Sequence, residues 1–133
     1  MAVTVEQNKG VTLIELMIVI AILAIISAIA IPAYTGYIKT ARIQECQQEV
    51  ASLSLAEEEF FLEQRTYFAG ADIATLEISS QGLWRAAEQV AANRNCTYSI
   101  VAGANGIATS YVLTATGSNK LATEGVVVTK TRI

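Results

Sequence analysis

KGVTLIELMIVIAILAIISAIAIPAY, from Lys9 to Tyr34, is the stretch that decides the fold of this chain. Between Leu13 and Ile31 it is apolar except for one carboxylate, Glu15, and one hydroxyl, Ser27. A helix of about 20 residues rising 1.5 Å per residue nearly matches the 30 Å hydrocarbon layer of a bilayer, so the stretch reads as a membrane-spanning helix. Glu15 conflicts with that reading. A carboxylate in lipid costs up to roughly 3 kcal/mol, and such residues are functional by default. A group outside this helix must neutralise it.

The chain has 133 residues, 53% of them hydrophobic, and a mean hydropathy of +0.43. Most of that excess lies in the one stretch. The remaining residues, about 100, are mildly polar and suffice for one small domain. A net charge of -3 and a pI of 4.9 lack the basic surplus of nucleic-acid and anionic-membrane binders, so no direct nucleic-acid binding is predicted. There is no histidine, no Gly-rich phosphate loop and no cluster of Cys and His. No catalytic residue, metal site or cofactor is therefore predicted, and the chain does not read as an enzyme. The two cysteines, Cys46 and Cys96, lie beyond the apolar run. They are one bridge if that part is exported and two free thiols if it is not.

An ordinary signal peptide has a positive start, 7–15 apolar residues and a small-residue cleavage site. Here the apolar run is too long, and the polar leader precedes it with one acid and one base. The junction, Gly10-Val11-Thr12-Leu13-Ile14-Glu15-Leu16, followed by a long apolar run with Pro32 and Tyr34 at its end, resembles the type IV pilin family. The resemblance is detailed from Gly10 to about Tyr67 and architectural beyond. It implies that residues 1–10 are a leader removed by a prepilin peptidase between Gly10 and Val11, and that the new amino group of Val11 is N-methylated. The family's usual first residue is Phe, from which Val11 departs. The resemblance also places Glu15 five residues into the mature chain, where the Val11 amine of an adjoining subunit meets it in an assembly salt bridge.

The apolar segment, residues 11–34, is followed by a globular part, residues 35–133, that begins with the continuation of the same helix. From Tyr34 to Phe61, Ile38, Ile43, Cys46, Val50, Leu53, Ala56 and Phe60 recur at helical spacing and form one apolar stripe. Pro32 lies inside this pattern and predicts a kink or weak point rather than a stop. Tyr34 and Tyr37 suit a membrane interface. Six acids, Glu45, Glu49, Glu57, Glu58, Glu59 and Glu63, fall between Ile43 and Gln64. They read as a solvated face, or as a patch for Lys120, Lys130 or Arg132 of another subunit.

An arginine in the last turn and Gly70 beyond it read as helix stops, and Thr66-Tyr67 matches a pair common in the family. A second helix is expected at Leu83–Ala92, with Trp84 as a packing anchor. Three strands follow, at Thr97–Ala102, Thr109–Thr116 and Gly125–Thr131, the first two joined through Asn105-Gly106. The expected fold is α+β, a long N-terminal helix, transmembrane in its first half and amphipathic in its second, packed on a three-stranded antiparallel meander. Family members commonly carry a disulfide near the C-terminus, and this chain has no cysteine after Cys96. Cys46 on the stripe and Cys96 before the first strand would instead tie the helix to the sheet.

The resemblance implies a structural subunit of a type IV pilus. Such a subunit is stored in the bacterial inner membrane and polymerised with further copies by the assembly machinery into an extracellular helical filament for adhesion, twitching motility or DNA uptake. Type II secretion pseudopilins share the junction and are one alternative. A minor pilin acting at the filament tip is another, whose expected mark, a large insertion or an exposed basic patch, is not evident in the sequence.

Overall fold

The structure is a computed structural model that describes residues 10–87 and 90–133. Of the leader assigned to residues 1–10, all but Gly10 lies outside the described residues. In chain order the elements are α1 Leu13–Gln64, α2 Ile73–Ser79, β1 Cys96–Ala102, β2 Tyr111–Gly117, a 3-10 helix Asn119–Glu124 and β3 Val127–Arg132. The chain divides into two units between Tyr37 and Ile38.

In the first unit the large apolar side chains from Leu13 to Ile31 are exposed, as a surface made for lipid or for other helices would be. The helix begins at Thr12, whose hydroxyl accepts the Glu15 N–H at 3.3 Å and whose carbonyl accepts the Leu16 N–H. It runs on through Pro32. Proline has no N–H to return to the preceding turn, and the Thr35 hydroxyl donates to the Pro32 carbonyl at 2.9 Å.

In the second unit the apolar stripe goes inward as its spacing demands. Cys46, Val50, Leu53, Ala56 and Phe60 of α1 are buried, with Ile43 half-buried at the edge. They meet Tyr98, Ile100, Tyr111, Leu113 and Ala115, the inward residues of β1 and β2. The sheet order is β1-β2-β3 and both pairings are antiparallel, with Ile100 opposite Leu113 and Thr114 opposite Thr129. Alternation sends Thr97, Ser99, Val112, Thr114, Thr116, Thr129 and Thr131 to the other face, which carries no charged side chain on the three strands.

Three local features depart from the sequence reading. The helix stop is Arg65 itself, in the left-handed conformation at φ 58°, with its N–H on the Phe61 carbonyl. Gly70 serves a different need. It pairs with Ile100 of β1, and an added Cβ would lie 2.8 Å from the Leu76 nitrogen and from the Thr75 hydroxyl, so only glycine fits there. The second helix is Ile73–Ser79, not Leu83–Ala92. Asp72 and Thr75 start it with a reciprocal capping box, in which each side chain takes the other's N–H. Residues 83–87 are not helical because their backbone donors are spent elsewhere: the Ala86 N–H on the Glu77 carboxylate and the Ala87 N–H on that of Glu49, each at 3.0 Å. The Asn-Gly turn forms with Gly106 at φ +82°, but the connection continues to Ser110, and β2 starts at Tyr111.

Candidate functional site

The residues singled out in the sequence fall in separate places. Gly10 and Val11 are exposed just before α1, and Glu15 stands in the first helical turn. A carboxylate there is favoured by the positive end of the helix dipole. Among the described residues its side chain has no partner. Thr12 completes this junction and was legible, since Thr12-Leu13-Ile14-Glu15 is the Ser/Thr-x-x-Glu pattern of a helix start. Pro32 lies in the same helix. Cys46 and Cys96 are bridged, which fastens α1 to the first residue of β1 with both sulfurs in the core.

The acidic run on α1 is used within the chain. The Glu45 carboxylate accepts from the Asn95 side chain, Glu49 accepts the Ala87 N–H, Glu57 accepts the Phe68 N–H at 3.1 Å, and Glu58 pairs with Arg132. Glu45, Glu49 and Glu57 thereby hold a connection of about 30 residues that, among the described residues, has one short helix of its own. Trp84 sits in the same connection, 4% exposed, edge-on to Tyr98, with its ring N–H on the Ser52 hydroxyl. It is a core anchor.

Glu57 departs most from a solvated face. It is completely buried, and its second oxygen, Oε1, has no hydrogen-bond partner among the described residues. Burial is the main cause that pushes its carboxyl up to about 8, with the Phe68 N–H opposing and the neighbouring Glu58 assisting. The signal was present. Glu57 is four residues after Leu53 and three before Phe60, inside the stripe. Burial likewise raises Tyr111 to about 12, and raises Tyr98. Asp72 moves the other way, its carboxylate held low by the Thr75 backbone N–H and hydroxyl.

A contrasting surface lies where β3 runs beside α1. The Lys130 ammonium donates to the Ser54 hydroxyl at 2.6 Å, and Arg132 Nε is 3.5 Å from Glu58 Oε1. A hydrogen bond with Tyr67 and the Glu58 charge together raise the Arg132 pKa. Further down the helix Lys39 pairs with Glu124. Residues 96–133 contain a single acid, Glu124, against Lys120, Lys130 and Arg132. The negative balance of the chain therefore belongs to α1, since the acids and bases of the connection after it cancel.

Comparison with known proteins agrees with this arrangement. Residues 7–31 match the prokaryotic N-terminal methylation motif, and residues 32–124 match the family described as type IV minor pilin ComP, DNA uptake sequence receptor. A fimbrial protein of Pseudomonas aeruginosa is 36% identical over 105 residues, covering 73% of this chain and 68% of the relative. Fimbrial protein EcpC of Eikenella corrodens is 36% identical over 126 residues, 91% of this chain and 70% of the relative. Type IV major fimbrial protein FimA of Dichelobacter nodosus is 34% identical over 117 residues, 86% and 69% respectively. No solved structure matches the chain. The methylation motif on an exposed apolar helix, and these matches along the globular part, place the chain in the type IV pilin family, structural subunits rather than enzymes, anchored in the membrane as prepilins before entering the pilus filament.

Proposed function

We propose that this chain is a minor pilin of DNA uptake. The leader is cut between Gly10 and Val11, the Val11 amine is methylated, and the subunit enters a filament when that amine pairs with Glu15 of a neighbour. The observation that carries the DNA reading is the match of residues 32–124 to a DNA uptake sequence receptor family. Separation of charge supports it, because a net charge of -3 would otherwise oppose contact with phosphates. In this reading Pro32 is the weak point at which the helix repacks between bilayer and filament.

Deleting the gene tests the proposal. A minor receptor leaves filaments in normal number while uptake of added DNA falls by orders of magnitude. Loss of filaments together with uptake would instead support a second reading, a major structural subunit, which the long alignments to fimbrial proteins favour.

Glu15→Val is expected to leave a processed, membrane-inserted subunit that is nearly absent from sheared filaments. An unpaired charge left behind in an apolar interface typically costs about 3–5 kcal/mol. Normal recovery of the variant in the filament fraction would rule out the Val11–Glu15 pair.

A further inference from the structure

We propose that the seam between α1 and β3 is where duplex DNA is bound, its phosphates meeting Lys130 and Arg132. The inference rests on the DNA-uptake reading above and adds the surface and the residues. On the strand, Lys130 and Arg132 are two residues apart, so their side chains leave the same face about 7 Å apart. On the helix, Ser54 lies under Lys130 and Glu58 under Arg132, one turn further on. Lys130 and Arg132 thus follow one line along α1, and Arg132 keeps 55% of its side chain open to solvent.

Nothing on the edge strand repels an anion: β3 carries no carboxylate, and Thr129 and Thr131 turn to the opposite face of the sheet beside Thr114 and Thr116 of β2. Phosphate contacts of this kind position a duplex without reading its sequence. Of the other exposed acids of α1, Glu59 borders a groove with Leu83, Trp84 and Arg85. Glu58 is the single acid in the line, and Arg132 already leans on it. Tyr67 and Glu58 hold the Arg132 guanidinium in place, while the Glu58 charge opposes an incoming phosphate.

Full chain in neutral detergent, titrated with a labelled duplex oligonucleotide at several salt concentrations, gives the test. Lys130→Gln and Arg132→Gln should each weaken binding several-fold at low salt and lower the slope of log affinity against log salt by about 0.9. Glu58→Gln should tighten binding, an outcome that simple loss of structure does not produce. Arg85→Gln, on the groove side, should bind as the parent does. Binding by the parent with unchanged slopes in the Lys130 and Arg132 variants, or with the loss confined to Arg85→Gln, overturns the seam and leaves the DNA reading standing. Absence of duplex binding by the parent overturns both.

Discussion

Replacing Cys46 and Cys96 together by alanine is expected to lower the stability of the globular part by about 4 kcal/mol. The bridge closes a segment with a sequence separation of 50 residues, and the unfolded chain regains the freedom of that closed loop when the bridge is lost. Stability of an ordinary domain is roughly 5–15 kcal/mol, so the change removes much of it. Both cysteines are also buried, and two alanines would leave a small gap between α1 and β1. Trp84 is the one tryptophan and lies against Tyr98, two residues along β1 from Cys96. Its fluorescence during urea unfolding therefore reports on this part of the molecule. An unfolding midpoint within error of the parent would show that the connection is held well enough by its other contacts.

Those other contacts mark the limit of what the sequence disclosed. Hydrophobic spacing is a long-range signal repeated many times, which is why the stripe from Cys46 to Phe60 and the alternation of β1 and β2 were legible before any coordinates. The connection from Arg65 to Asn95 has no such repetition. Its shape depends on individual backbone N–H groups finding carboxylates far away in sequence, as Ala87 finds Glu49 and Phe68 finds Glu57. Leu83-Trp84-Arg85-Ala86-Ala87 has helix-forming composition, and tertiary partners outweigh a preference worth only a few tenths of a kcal/mol per residue. The Thr12 cap and the Asp72 capping box are the opposite case, because each is a local pattern that could be read directly.

The charge of the chain was readable as a total and misleading as one. A pI of 4.9 averages an acid-rich helix with a C-terminal part, residues 96–133, that carries one acid. Net charge governs solubility and long-range attraction, whereas contact with a polyanion depends on where the cations stand. Antiparallel pairing fixes β3 at the sheet edge, and Lys130 and Arg132 reach back to Ser54 and Glu58 of α1. That juxtaposition joins residues 76 apart, as in the bond from Lys130 to Ser54, and no local pattern announces it.

Raising the pH from 5 to 8 is expected to destabilise the globular part, and Glu57→Gln to remove most of that dependence. The folded state raises the Glu57 carboxyl to about 8 from an ordinary value of 4.5. Between those values the folded chain keeps a proton that the unfolded chain has released. The contribution is complete below the unfolded value and is lost as pH rises through the folded one, at up to roughly 1.4 kcal/mol per pH unit. Tyr111, which feels the Glu57 charge, does not titrate in that window because it is raised to about 12, and the neighbouring Glu58 carboxylate is paired with Arg132. Glutamine preserves an acceptor for the Phe68 N–H and carries no charge to bury. Leucine keeps the site neutral but abandons that N–H, and should cost about 1–3 kcal/mol at every pH. Urea midpoints of parent, Glu57→Gln and Glu57→Leu at pH 5, 6.5 and 8 separate these effects. A parent midpoint that stays level across the range would mean that Glu57 is ionised in the folded protein, with water reaching Oε1 to solvate it.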